Sequence, residues 1–458
     1  MNAFRKSGDT AFGPRGYPLV GHLPEFLRDK LGFLSRCAAQ YGDVVKLHIG
    51  EPTFLLNNPN DIRHVLVVNP DNFDKTPRMI SGKARQLSGE GLLTSSGAAH
   101  LRERRMLQPV FYRKTIETFA KIMTDTTSQL FVNWKPGATI NMTKEMMELA
   151  QQIIVRSVFG ADFIDEGGQL AEAITTRRQY LEHVFFSLLP FPEHVPTRIQ
   201  RTYPKAMERI DQTIYQAISA RRENVGHGND LLSLLIQARY EDSTRMTDKQ
   251  VHEEALVLLV TGYETIGEAL SWTWYLLAQH PSVASRLFAE VDTVLDGRVP
   301  RSEDLQKLDY VGMALAESMR LYPPTWIFVR MARHEETLPS GVTIPAGSKL
   351  YLCQYVMHRK PRYFPDPERF DPERFSESAK KTRPQFSYFP FGGGPRVCIG
   401  EAFAKMEGIL ALAMVAQRFM LQLVPGQTIV PEPKMTLRPK SGILMRIEDR
   451  QLFDGGAR

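Results

Sequence analysis

The chain reads as mainly α with a minor β portion, an α+β protein, and three observations carry that expectation. Most of Arg102 to Gln279 has apolar residues at helical spacing, broken by polar joints. Val44 to Leu56 is alternating and β-branched on either side of Gly50, which suggests two short strands. A glycine-rich loop, Phe391 to Gly400, leads into a final long helix that runs to about Phe419.

Taken in order, Phe12-Gly-Pro-Arg-Gly-Tyr-Pro-Leu-Val-Gly21 is too rich in Pro and Gly to be helix. Asn224 to Asp230 reads as a surface linker. Thr247-Asp-Lys-Gln250 is a capping box, and apolar residues continue from it to about Gln279, where His280-Pro281 stops the helix. Roughly 30 residues at about 1.5 Å each give a helix near 45 Å long, enough to cross a whole domain. Gly262, Glu264 and Thr265 fall at its middle, where polar groups are costly unless used or satisfied. A further helix is expected from about Tyr310 to Leu321, before Pro323-Pro324. Gly341 to Gly347 looks like a hairpin feeding a strand from Lys349 to Tyr355, and Pro361 to Phe375 like an irregular meander.

The 458 residues are 43% hydrophobic and 24% charged, ample for a large core and unlike a disordered or fibrous chain. A net charge of +6 suits an acidic partner, a membrane surface or nucleic acid, and equally suits plain solubility. No recognisable nucleic-acid module or clustered basic stripe accompanies it. Three unpatterned cysteines, Cys37, Cys353 and Cys398, argue against a disulfide framework and for a reducing compartment. Met1 to Thr10 is polar, and the most apolar stretch, Ala255 to Leu277, is interrupted by Glu264 and Glu268. A cytoplasmic protein without a transmembrane anchor is expected.

The chemistry concentrates in Phe391-Gly-Gly-Gly-Pro-Arg-Val-Cys398-Ile-Gly400. Its glycines allow a close backbone approach, and Pro395 stiffens the turn. Cys398 precedes a helix N-terminus, where backbone N–H groups favour thiolate over thiol. A lone cysteine is more often a buried structural one, and this loop is what sets Cys398 apart.

The segment resembles the haem-binding loop of the cytochrome P-450 superfamily, with Phe391, Gly392, Gly394, Arg396, Cys398 and Gly400 all matching. Phe403, Ala404 and Glu407 match the pattern of the helix that follows. The resemblance implies haem b (iron protoporphyrin IX) with Cys398 as the axial ligand of its iron. It also implies a cytochrome P-450 fold, with a long central helix over the haem and the cysteine loop before the last long helix. Glu317-Ser-Met-Arg320 resembles the family's Glu-x-x-Arg pair, and Phe370-Asp-Pro-Glu-Arg374-Phe375 the motif that supplies a second arginine. A buried structural network of Glu317, Arg320 and Arg374 is therefore implied, with Arg369 as a rival for the third place. Thr261-Gly-Tyr-Glu264-Thr265-Ile266 resembles the oxygen-activation signature, which makes Glu264 and Thr265 the catalytic acid–alcohol pair. Two positions depart from the pattern: Thr261 stands where Ala or Gly is usual, and Ile266 replaces a second hydroxyl residue, so both would reshape the distal pocket. His100 and Arg104, four apart, resemble a motif that contacts the haem propionates. Arg330 and Arg396 match further propionate-binding positions, and guanidinium forks suit carboxylates.

The resemblance runs from Phe12 to about Met445 and implies a single haem domain over residues 1–458. Its β-rich lobe would be at about 12–75 and 325–360, and no reductase is fused to it. The implied activity is a monooxygenase that takes dioxygen and two electrons and hydroxylates or epoxidises an apolar small molecule. Electrons would come from a separate ferredoxin or flavodoxin with its NAD(P)H reductase, and Arg102, Arg105, Arg113 and Lys114 suggest a basic docking face. Pocket segments implied by the resemblance are Arg78 to Leu93, Leu181 to Phe191, Thr261 to Ile266, Pro324 to Val329 and Met435 to Leu437. They are rich in Phe, Leu and Ile and include Trp326, which suits a fatty acid, a terpenoid or a polyketide-like substrate, although Phe185-Phe186 equally suits core packing. A peroxygenase and a haem-thiolate gas or redox sensor share Cys398. The sensor has no need of Glu264 and Thr265, and the intact pair favours dioxygen over peroxide.

Overall fold

The computed structural model describes residues 12–80, 89–186, 197–223 and 228–450. The chain divides into two compact units, one of Met1–Ile80 and Ala316–Cys398, the other of Ser81–Leu315 and Ile399–Arg458. Part of the expected linker (224–227), part of two pocket segments (81–88 and 187–191) and the first ten residues lie outside the described residues.

The first unit is built on a five-stranded sheet. Val44–Ile49 and Glu51–Leu56 form an antiparallel hairpin with Val44 opposite Leu56, turning at Gly50. Glu51–Leu56 pairs in parallel with Lys349–Leu352, which pairs antiparallel with Phe328–Ala332, and that strand with Phe73–Asp74. One face is buried under Phe54, Leu56, Ile62, Phe73, Leu350 and Leu352. Each such side chain contributes roughly 1.5–3 kcal/mol on burial, so the alternation of Val44–Ile49 sets its register. The strand expected through Tyr355 stops at Leu352 instead. Gln354–Met357 coils into a helical turn because the Tyr355 N–H turns to the carbonyl of Trp326 (3.2 Å) and leaves the ladder. The expected hairpin forms slightly earlier, with Glu336–Thr337 paired to Thr343–Ile344.

The second unit is helical. Its longest helix, Asp248–Gln279, has 32 residues and begins at the capping box of Thr247 and Gln250. It is buried on most of its circumference, as a helix at the centre of a domain must be. The helix Met142–Phe159 crosses it so closely that a Cβ on Gly262 would meet the Ile154 side chain at 2.8 Å. Gly262 is thus explained by helix packing. The last long helix, Glu401–Arg418, packs on Ala120–Asn133 and on the long helix, and the chain leaves it directly into the strand Phe419–Leu423. That strand pairs with Leu444–Asp449, which pairs with Thr139–Asn141. Among the described residues no helix is long and apolar enough to cross a membrane.

Candidate active site

The cysteine loop is held by its own backbone. The Cys398 N–H donates to the Phe391 carbonyl (2.9 Å), and the Val397 N–H donates to Gly394 (3.1 Å) across a tight turn. Gly394 sits at φ +66°, and a Cβ there would lie 1.8 Å from the Leu66 carbonyl oxygen, so only glycine fits. The loop leaves Cys398 exposed, whereas Cys37 and Cys353 are buried. Burial pushes the Cys37 thiol up to about 11 and the Cys353 thiol up to about 12. Two of the three cysteines are therefore inert core residues, and Cys398 differs from them in access.

The same unit gathers four cations around one carboxylate. Arg396 donates to Asp74 (2.9 Å), Arg333 pairs with the other oxygen of Asp74, and Arg330 and Lys75 stand beside them. Arg330, on the strand Phe328–Ala332, is 7% exposed, and its Nη1 donates to the Val329 carbonyl. Burial, then Arg396, holds its guanidinium down to about 10. Burial, followed by Arg396 and Arg330, holds the Lys75 ammonium down to about 7. Asp74, with these cations around it, stays below the ordinary carboxylate range even though burial opposes that. Such a surplus of partly desolvated positive charge suits an anionic ligand carrying more than one carboxylate. Lys75 was not singled out from the sequence, because nothing local to it marks a site.

Glu317 and Arg320 lie at the heart of this unit, both fully buried, with Arg374 reaching Glu317 through Nε at 3.4 Å. Arg369 contributes its backbone carbonyl, which accepts from Arg320 at 3.1 Å, along with the carbonyls of His358 and Pro367. The second guanidinium that pairs with Glu317, after that of Arg320, is thus that of Arg374 and not of Arg369.

In the helical unit, Glu264 is 5% exposed and accepts a hydrogen bond from Thr436 at 2.7 Å. Burial raises its pKa, which Arg178 only partly offsets. Thr265 follows it, partly buried. The two departures from the family pattern have different outcomes. Thr261 is exposed and folds its hydroxyl back onto the Val257 carbonyl (2.8 Å). Ile266 is buried toward the last long helix, 3.2 Å from where a Cβ of Gly408 would be, so it fills core rather than pocket. His100 and Arg104 share one face of the helix Gly97–Leu107, with His100 buried and Arg104 donating to Gln108 at 3.1 Å. The expected basic face is largely neutralised: Arg102 pairs with Asp242, Arg105 with Glu241 and Arg113 with Glu117. The sequence reading passed over Arg438 and Arg178 here, while Thr436 and Glu182 fall within its pocket segments without being singled out. Glu268 did carry a signal, as a second acid inside an apolar helix.

An accessible cysteine on a glycine-tight loop, in the same unit as a surplus of partly buried cations, would suit an anionic cofactor that can be ligated through sulfur. Haem fits these residues, since its two propionates would complement Lys75, Arg330 and Arg396 and its iron accepts a thiolate. The comparisons agree: the Cytochrome P450 family model matches residues 12–451. Cyclooctatin synthase of Streptomyces melanosporofaciens is 34% identical over 93% of this chain and 92% of that protein. Cyclooctat-9-en-7-ol 5-monooxygenase of the same organism is 36% identical over 92% and 91%, and pentalenene oxygenase of Streptomyces avermitilis 30% identical over 95% and 97%. The solved structure of the cytochrome P450DA heme domain superposes with a TM-score of 0.85 at 25% identity, covering 96% of this chain and 97% of that one. This chain belongs to the cytochrome P450 family and is a cytochrome P450 monooxygenase. Membership implies haem, a small-molecule substrate, dioxygen and a redox partner.

Proposed function

We propose that the chain binds haem b through the Cys398 thiolate and oxidises an apolar, terpenoid-like small molecule with dioxygen. The observation that carries this reading is the exposed Cys398 on its tight loop, in one unit with Lys75, Arg330 and Arg396. Bound haem supplies the redox chemistry and the site of dioxygen activation. Cys398 would ligate its iron through an electron-rich thiolate, and Arg330, Arg396 and Lys75 would hold its propionates, a role also proposed for His100 and Arg104. Glu264 and Thr265 deliver protons: Thr436 steadies the Glu264 carboxyl, and burial raises its pKa toward the acid form. Phe391 shapes the loop by accepting the Cys398 N–H. Glu317, Arg320 and Arg374 are structural.

The substrate class rests on relatives named for pentalenene and cyclooctat-9-en-7-ol, together with the apolar composition of the pocket segments. Two electrons would arrive from a separate ferredoxin or flavodoxin served by an NAD(P)H reductase. With Arg102, Arg105 and Arg113 already paired to acids, docking should depend only weakly on ionic strength. The deciding experiment is the visible spectrum of the purified protein, reduced and exposed to carbon monoxide, for wild type and Cys398→Ala. A strongly red-shifted Soret band that the mutant lacks supports thiolate ligation by Cys398. A haem-replete wild type without that band overturns it.

A further inference from the structure

Glu268 lies one helical turn beyond Glu264 on the long helix, so the two carboxyls share one face. It is 2% exposed, and its Oε2 has no hydrogen-bond partner among the described residues. An ionised carboxylate in that position is costly, and an apolar side chain would pack the helix as well. The charged groups around it already balance one another. Arg438 donates to Glu182 (2.7 Å) and to Glu432 (3.0 Å), and Arg178 pairs with Glu182 (3.3 Å). Among the described residues, Arg438 and Arg178 are thus already paired with Glu182 and Glu432, and they offset the burial of Glu264 and Glu268 only in part. Tyr263, beside Arg178 and the buried Arg177, also faces this cluster, and burial pushes its phenol up. Burial, and after it the neighbouring Glu264, pushes Glu268 well above the ordinary carboxylate range. Another turn on, Trp272 donates to the Leu437 carbonyl (2.8 Å), so this face of the helix is seated against Leu437–Pro439, the strand that also carries Arg438. Arg438, Glu182 and Glu432 are only partly buried, which gives the cluster an edge toward solvent.

We infer that Glu268 is a positioning residue that stores the proton with which Glu264 is recharged. The inference rests on reading Glu264 as the proton-delivering acid of this enzyme. When Glu264 has given up its proton, the O–H bond of Glu268 breaks and a new O–H bond forms on Glu264. Thr436 occupies Oε1 of Glu264, which leaves Oε2 to receive the proton. Glu268 is then a carboxylate until a solvent proton reaches it past Glu182, Arg438 and Glu432. One proton moves inward and no electrons change hands.

The test uses the haem-loaded full chain and needs no substrate. Infrared spectra at pH 7 in light and heavy water report protonated buried carboxyls as exchangeable acid-carbonyl bands. Wild type should show such bands from several buried acids, Glu254 and Glu407 included, with one lost in Glu268→Gln and a different one in Glu264→Gln. Substrate-free oxygen consumption, driven by a surrogate ferredoxin and reductase, should fall about tenfold in Glu268→Gln with a larger solvent isotope effect. Glu268→Asp should recover part of the rate, and Glu264→Gln/Glu268→Gln should be no slower than Glu264→Gln alone. Glu268→Leu, which fills the space without a proton, should keep the thermal midpoint and reproduce the loss of rate. The inference is overturned if Glu268→Gln removes no acid band, if its rate and isotope effect match wild type, or if the double variant shows the product of the single losses. The carbon monoxide spectrum of every variant should keep the thiolate band. Its absence from wild type would instead overturn the underlying reading, and this inference with it.

Discussion

Arg320 closes a two-point fork on Glu317: Nε meets Oε2 at 2.7 Å and Nη2 meets Oε1 at 2.8 Å, with both side chains fully buried. The Asp371 N–H donates to the same carboxylate at 3.0 Å, and Arg374 approaches it from a less buried side. Burial alone would drive the Glu317 pKa up, and these donors hold much of that back.

Replacing Glu317 by Gln should therefore cost roughly 3–5 kcal/mol, because it strands a fully buried guanidinium. Arg374→Lys should cost less, since Arg374 is 12% exposed and makes a longer contact. Urea denaturation of the two variants checks this ordering. Equal midpoints for Glu317→Gln and wild type would remove the network from any account of stability.

Haem loading should take up protons through Lys75. Its ammonium is held down to about 7 by burial and by Arg396 and Arg330, and a bound carboxylate reverses that push. At pH 8 the haem-free side chain is mostly neutral, so loading should draw in close to one proton. At pH 6 it is already charged, and uptake should vanish. Calorimetry of haem binding in buffers of different ionisation enthalpy measures the difference. Lys75→Met should abolish the uptake at pH 8, and unchanged uptake would place the propionates elsewhere.

Glu254 predicts a pH dependence of stability with a definite sign. Burial, then Glu103, raises its pKa from 4.5 to about 8, while the Leu92 N–H donates to it at 2.9 Å. The folded state thus holds this proton more tightly than the unfolded one. Its contribution is complete below pH 4.5 and falls away as pH rises to about 8, by at most about 5 kcal/mol. Glu254→Gln keeps an acceptor for Leu92 without the charge. It should match wild type at pH 4.5 and be more stable at pH 9, as read by urea midpoints. A gap of the same size at both values would show that Glu254 does not titrate in this window.

The cysteines should separate cleanly by alkylation. Native haem-free protein at neutral pH should react at Cys398 alone, since Cys37 and Cys353 are buried with thiols near 11 and 12. Haem should block that reaction. Peptide mapping that finds equal labelling of Cys398 with and without haem would count against thiolate ligation.

The parts of the fold legible in the sequence are those whose cause is local. Thr247 and Gln250 cap the long helix within one turn, and Gly50 turns the first hairpin between two runs whose alternation sets their pairing. The strand predicted through Tyr355 failed for a non-local reason, since the Trp326 carbonyl claims the Tyr355 N–H. Ile266 misled in the same way: its motif position suggests pocket, yet Gly408 on another helix makes room for it in the core. The basic face of Arg102, Arg105 and Arg113 was counted from one stretch of chain, while Asp242 and Glu241, which neutralise its first two members, lie far along it.

The sequence by itself determined the cysteine loop, the Glu317–Arg320 pair, the place of Glu264 and Thr265 on the long helix and the α+β class. Each of these is a pattern of residues a few positions apart, within reach of one turn or one helical face. Only the tertiary structure decided that Lys75 joins Arg330 and Arg396 around Asp74, that Thr436 holds Glu264, and that the Oε2 of Glu268 is buried with no hydrogen-bond partner among the described residues. Charge and burial are properties of the whole neighbourhood, and that neighbourhood is assembled from segments that meet only when the chain has folded.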